Sequence, residues 1–258
     1  MKNTADKVIQ YAKSQVGYLE KDSNKLLDDF KKNAGSRNYT KYARDFLKAT
    51  GLNFQGQAWC DMFVDTCFVA TYGEKKAKSL LGGFEAYTVY SANHFKKMKQ
   101  WYNYPEPGDI IFFKNSERIN HTGIVVAVSN TKVYTVEGNT SSGTEVVENG
   151  GGVFEKSYWL SNQRIAGYGR PNYDNPFTKP SKTVTKDSSE NDIGWLQFQL
   201  NKAFKALKSD TCLKVDKSYG KLTQGAVCEF WKLLGWNKDG KDDGTRAGAK
   251  TINKLNTF

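Results

Sequence analysis

Apolar residues in the first hundred positions recur with a helical period. Val8, Ile9, Ala12 and Val16 predict a first helix across residues 4–17, closed by a glycine. A second is expected over residues 39–50, stopped by Gly51. A third starts near Trp59-Cys60 and runs to about Ala70, with Phe63, Val64, Cys67 and Phe68 along its apolar side. Residues 91–101 predict another. The pattern then changes. Residues 108–113 read as a strand launched from the turn Pro105-Glu106-Pro107-Gly108. Residues 121–128 and 132–137 read as a hairpin around Ser129-Asn130-Thr131, and residues 164–169 as a closing strand. Helices followed by antiparallel strands predict an α+β domain.

That pattern stops near residue 171. Pro171, Pro176 and Pro180 fall in a polar stretch with little apolar periodicity, which reads as a semi-extended linker. Helical spacing resumes at Ile193, Leu196, Leu200 and Phe204, and again at Ala226, Phe230 and Leu233. The expected organisation is a domain over 1–172, a linker over 173–190 and a small, mostly helical domain over 191–258. Two segments of the last part are loosely similar. Residues 215–220 with Thr223, and residues 241–248 with Thr251, each read as an acidic-glycine turn entering a helix.

With 38% hydrophobic and 25% charged residues, the 258-residue chain has enough apolar material for real cores, which excludes a disordered polymer. Its longest apolar runs, such as residues 123–128, are far below the ~20 residues of a membrane span, so no membrane insertion is expected. The net charge of +11 suits polyanionic surroundings, whether nucleic acid, anionic lipid or wall teichoic polymers. Both halves are basic, so no separate basic tail points to nucleic acid. Residues 1–7 lack the apolar core of a secretory signal, which predicts synthesis in a cytoplasm and some other route to any outside destination. Cys60 and Cys67 lie roughly 10 Å apart on one helix, too far to bridge, and Cys212 could meet Cys228 only through the fold. Two histidines and no Cys-x-x-Cys pair make a zinc site a poor fit.

Cys60 falls where a helix begins, so the helix field and unpaired backbone donors favour its thiolate. A small core hydrophobe is the commoner fate of such a residue. His121 opens a strand and is placed at the sheet's edge, whereas His94 lies in a polar helical stretch with a solvated role. If the hairpin loop is the three residues 129–131, Val128 faces Lys132 and His121 faces Asn139, with Glu137 as its diagonal neighbour on the same face. A two-residue loop would throw Glu137 and Asn139 to the opposite face. Either group, bonded to the second imidazole nitrogen, would fix the ring's tautomer and raise its basicity; the bland alternative is a Glu-Gly-Asn-Thr turn cluster.

Four blocks taken together, Trp59-Cys60-Asp61-Met62-Phe63-Val64, Pro107-Gly108-Asp109-Ile110, Asn120-His121-Thr122-Gly123-Ile124-Val125 and Val136-Glu137-Gly138-Asn139-Thr140, closely resemble the CHAP domain, the cysteine, histidine-dependent amidohydrolase/peptidase. The resemblance implies a papain-like α+β fold with an antiparallel sheet, cleaving an amide bond of bacterial peptidoglycan. By position it makes Cys60 the nucleophile, His121 the base, and Glu137 and Asn139 its orienting residues. Gln57 is a candidate oxyanion donor, and Trp59, Trp101 and Trp159 are candidate groove walls, with buried packing the expected role of at least two of them. Some CHAP domains bind calcium through an acidic stretch before the cysteine; residues 53–57 carry no carboxylate, so no cofactor and no metal are expected. In the last domain, Leu196-Gln197, Leu200-Asn201, Leu213-Lys214-Val215-Asp216, Tyr219-Gly220, Thr223, Ala226-Val227 and Phe230 resemble a type 1 peptidoglycan-binding domain. It departs from that pattern at Lys217, where glycine is usual, and at Trp231, where glutamine is common. The whole is expected to be a wall hydrolase of the phage or prophage endolysin kind, an N-acetylmuramoyl-L-alanine amidase ahead of a peptide endopeptidase. Its expected partners are peptidoglycan and anionic wall polymers. The competing reading is a non-catalytic wall-binding protein.

Overall fold

The computed structural model describes residues 4–236 and 242–258, and the chain divides into two compact units at Tyr173/Asp174. In the first unit come α1 (Ala5–Ser14), α2 (Lys41–Thr50), α3 (Cys60–Tyr72), α4 (Glu74–Leu81) and α5 (Thr88–Lys97). The strands β1 (Trp101–Tyr102), β2 (Ile110–Lys114), β3 (Ile119–Val128), β4 (Lys132–Thr140), β5 (Gly152–Trp159) and β6 (Ile165–Gly169) follow. They form one antiparallel sheet in the order β1-β6-β2-β3-β4-β5. The α+β expectation with an antiparallel sheet matches this arrangement. Trp101, expected at the end of a helix, instead begins β1. The sequence pattern predicts neither α4 nor the strands β1 and β5.

The third helix is apolar on most sides, with every residue from Cys60 to Phe68 buried, as a helix packed into a core must be. It lies close against β4. A Cβ on Gly138 would stand 2.6 Å from the Phe63 Cβ, so only glycine lets α3 and β4 approach this far. One face of the sheet carries Ile110, Phe112, Ile124 and Val136 into the helical core. The other carries Ile111, Phe113, Val125, Val133, Tyr158 and Tyr168 into a second cluster.

The β3–β4 hairpin differs from expectation in a way that matters for the site. Val128 pairs with Val133, not Lys132, and the Ser129 N–H donates to the Lys132 carbonyl at 2.8 Å, so the turn is the two residues Asn130-Thr131. Such a turn should have put Glu137 on the wrong face. A bulge at Val126, between the Val125–Thr135 and Ala127–Tyr134 pairs, absorbs one residue and restores the expected register at Ile124–Val136.

The second unit contains β7 (Val184–Thr185), α6 (Glu190–Ala206), α7 (Lys221–Leu233), β8 (Arg246–Ala247) and α8 (Ala249–Leu255). The stretch 173–190, read as a linker, is in large part structure. It supplies β7, which pairs with β8, it buries Val184, and it lays the Phe177 ring on Gly194. The two similar segments share a geometry. Asp216 accepts from the Ser218 N–H and Asp243 from the Thr245 N–H, each at 2.9 Å, and the residue after each aspartate is left-handed: Lys217 at φ 61° and Gly244 at φ 70°. Gly220 and Gly248 then precede α7 and α8. Lys241, in the second segment as read from sequence, lies outside the described residues. The Gln197 amide gathers the first segment, donating to Asp216 Oδ1, the Ser218 carbonyl and Thr223 Oγ1 while accepting from the Lys217 N–H.

Candidate active site

Cys60 is the first residue of α3 and the residue after its N-cap, Trp59. Trp59 is fully buried, stacks on Tyr42 at 5.3 Å between ring centroids, and donates from Nε1 to Glu20 at 3.1 Å. It fixes where the helix begins and is not a groove wall. The thiol of Cys60, 5% exposed, thus sits at the positive end of a rigid helix.

His121 is on β3, paired with Phe113 of β2, and is completely buried. The expected place at the edge of the sheet is corrected: β3 lies between β2 and β4 in the sheet's interior. Its Nε2 is 2.9 Å from Glu137 Oε2, and Glu137 is buried as fully. With Nε2 committed to Glu137, Nδ1 is the nitrogen left for Cys60; among the described residues nothing forms a hydrogen bond with it. Burial disfavours the imidazolium, but the neighbouring Cys60 sulfur and the bonded Glu137 carboxylate outweigh burial and carry the His121 pKa up to about 10. Glu137 also accepts from Thr135 Oγ1 at 2.5 Å and from the Tyr158 hydroxyl at 3.1 Å.

Asn139 forms no hydrogen bond with His121. It occupies an irregularity between the Glu137–Phe154 and Thr140–Gly152 pairs with φ 56°, and its amide donates to the Glu148 carbonyl at 3.1 Å. The orienting contact is made by Glu137 alone. Gln57 is exposed on the approach to α3, where its N–H closes a turn onto the Phe54 carbonyl. Trp101 packs on Phe112 at 5.4 Å and over Gly167, a structural place. Trp159, 57% exposed, carries the Lys132 ammonium over its ring on β5. His94 is not simply solvated: its Nε2 is 3.0 Å from Glu85 Oε1 and its ring covers Gly83. None of the four cysteines forms a disulfide.

Several residues beside the site escaped the sequence reading. Asp61 follows Cys60, is 2% exposed and accepts from Ser91 Oγ at 2.7 Å. Asp65, one turn on, accepts from the Glu85 N–H at 2.9 Å. Burial raises both carboxyls above the usual range, Asp61 to about 7. Thr88, at the start of α5, donates to the Ile119 carbonyl at 2.9 Å. Helix α5 is therefore bonded beside Cys60 through Ser91 and beside His121 through Thr88. It holds two exposed tyrosines there, Tyr87 and Tyr90, edge to face at 5.2 Å, with the Arg118 guanidinium 5.1 Å over Tyr87. Among the described residues no three His, Cys, Asp or Glu side chains converge as metal ligands would.

A nucleophile at a helix tip, an imidazole beside it and a buried carboxylate on that imidazole are the parts of a cysteine hydrolase. Residues 52–139 match the CHAP domain. CHAP domains are generally cysteine- and histidine-dependent amidohydrolases or peptidases, with peptidoglycan as their general substrate. The matched CHAP region holds Cys60, His121, Glu137 and Asn139, and ends before β5 and Tyr158. Comparison with curated proteins and with solved structures finds no match.

Proposed function

We propose that the chain hydrolyses an amide bond of peptidoglycan through a Cys60–His121–Glu137 relay, with the N-acetylmuramoyl-L-alanine bond as its target. The observation that carries this reading is the sealed His121–Glu137 pair next to a cysteine at the start of α3. The Cys60 sulfur attacks the carbonyl carbon, and the Cys60 backbone N–H, with the Gln57 amide, takes the developing oxyanion; one such donor is worth about 3 kcal/mol in acyl transfer. His121, held protonated by Glu137, gives its proton from Nδ1 to the departing amine. Water then attacks the thioester, His121 takes its proton, and the acid leaves with Cys60 restored. Tyr87, Tyr90 and Arg118 form the substrate platform beside this relay, aromatic faces for sugar rings and a cation for a stem-peptide carboxylate.

The second unit serves as the wall anchor in this proposal, raising the local concentration of the enzyme on an insoluble substrate. The test is purified Cys60→Ala, which should sediment with cell walls yet fail to clear a wall suspension. Clearing at the wild-type rate by that variant overturns the nucleophile assignment; a wild-type protein that sediments with walls and clears none of them leaves the non-catalytic wall-binding reading. Mass spectrometry of fragments released by the wild type reads the bond: free stem peptides mark amidase cleavage, and cut peptides on intact muramoyl chains mark an endopeptidase.

A further inference from the structure

Both oxygens of the Glu137 carboxylate are occupied. Oε2 faces His121 Nε2 at 2.9 Å and also accepts from the Tyr158 hydroxyl at 3.1 Å, while Oε1 accepts from Thr135 Oγ1 at 2.5 Å. Thr135 stands two residues earlier on β4, and Tyr158 reaches in from β5, outside the CHAP-matched residues. The Tyr158 ring packs on Phe113 at 4.8 Å, and Phe113 packs on His121 at 5.8 Å, so one side chain supports the imidazole both through the carboxylate and through a ring contact.

A carboxylate held by histidine alone can rotate about its last torsion and offer either oxygen, because that torsion is soft. Hydroxyl donors from two strands remove this freedom. We propose that Tyr158 and Thr135 are positioning residues that lock Glu137, and through it the His121 ring, with Nε2 on the carboxylate and Nδ1 toward Cys60. This rests on the relay proposed above for its effect on turnover, but the geometry itself is independent of any activity. A tyrosine that was only satisfying a buried hydroxyl would not need to share its acceptor oxygen with the imidazole. The charged and titratable groups around the pair are Cys60 and Asp61 from α3 and Lys156 and Tyr158 from β5, each acting on His121 or Glu137.

The experiment compares Tyr158→Phe, Thr135→Val and Thr135→Ser with the wild type. With two histidines in the chain, the imidazole proton resonances are assigned by a single His94→Gln variant. Tyr158→Phe and Thr135→Val should displace or broaden the low-field His121 Nε2–H resonance and lower kcat by about tenfold to a hundredfold, the scale of a small misplacement at a reacting centre, with KM unchanged. Thr135→Ser, which keeps the hydroxyl, should restore both. A wild-type His121 resonance in Tyr158→Phe and Thr135→Val overturns the proposal, even if stability falls. Should Cys60→Ala still clear walls, the relay fails as a catalytic reading, while the resonance continues to decide whether the two hydroxyls position His121.

Discussion

Replacing Asp61 with asparagine takes away a carboxyl whose protonation is coupled to folding. Burial is the main force raising its pKa and Glu85 adds to it, while the Ser91 hydrogen bond and the His121 charge oppose, and the balance lies near 7 against an ordinary 3.8. Between those values the folded chain keeps a proton that the unfolded chain has released. Stability from this group is therefore complete below pH 3.8 and is lost as pH rises through 7. Roughly three units at about 1.4 kcal/mol each put its full contribution at no more than about 4 kcal/mol. For a unit of this size, at about 2–4 °C per kcal/mol, that is on the order of 10 °C in the melting temperature.

Asp65, Glu106 and Asp109 have raised values too, so the wild type should lose more than this between pH 4 and 7. The difference between the two proteins isolates Asp61. His121 does not interfere below pH 6.5, because its stabilisation is complete there and decays only as pH climbs through about 10. Scanning calorimetry at pH 4, 5, 6 and 7 should show the Asp61→Asn curve flatter than the wild type by about 10 °C over the interval. Parallel curves, whatever their offset, would refute the assignment of a protonated Asp61 to the folded state.

Turnover on wall fragments should hold through neutral pH and fall as pH passes about 10, where His121 loses the proton the departing amine needs; a fall centred near the ordinary histidine value would contradict the Glu137 and Cys60 effects. Lys217→Gly should raise the melting temperature of the second unit by a few degrees, because relieving a left-handed lysine, a strain of about 1–2 kcal/mol, exceeds the ~0.5–1 kcal/mol entropic cost of glycine; a lower melting temperature would contradict this.

How much of this was legible depends on which interactions are periodic. Helices α1 and α2 announce themselves by apolar residues that repeat on one face, and α3 and β2 by apolar runs buried on most sides. Strand β5 breaks that rule: Lys156 takes an inward position and is buried, its ammonium donating to the carbonyls of Ser141 and Glu145 at 3.0 and 2.6 Å. No reading of alternation finds a lysine satisfied by a distant loop. Glu137 could be placed beside His121 by strand parity, yet the loop length assumed was wrong and the Val126 bulge compensated for it. Parity also assigned Asn139 to the imidazole, and a second irregularity in the ladder turned it away. Of the three tryptophans, Trp59 and Trp101 take the packing role expected of at least two, each held by a partner remote in sequence. In the second unit, Lys217 takes a left-handed geometry that glycine adopts without a steric penalty, which apolar periodicity does not reveal.

The burial of the relay dictates the direction of substrate approach. His121 and Glu137 are sealed at 0% exposure, and Cys60 retains 5%, so in the proposed reaction the carbonyl arrives over the start of α3 and never passes the imidazole. The start of α5 is bonded to both sides of that opening, by Ser91 to Asp61 and by Thr88 to Ile119. Those two bonds make the exposed Tyr87–Tyr90 pair a fixed rim, where a mobile loop would have to be ordered at each binding event. Tyr90 is exposed and makes its ring contact with Tyr87, so Tyr90→Ala removes contact area while leaving the bonds of Thr88 and Ser91 in place. Losing about 1–2 kcal/mol of ring contact should raise KM for wall fragments about tenfold, with kcat, melting temperature and the His121 resonance unchanged. An unaltered KM would place the substrate on another side of Cys60 and remove the tyrosine rim from the site.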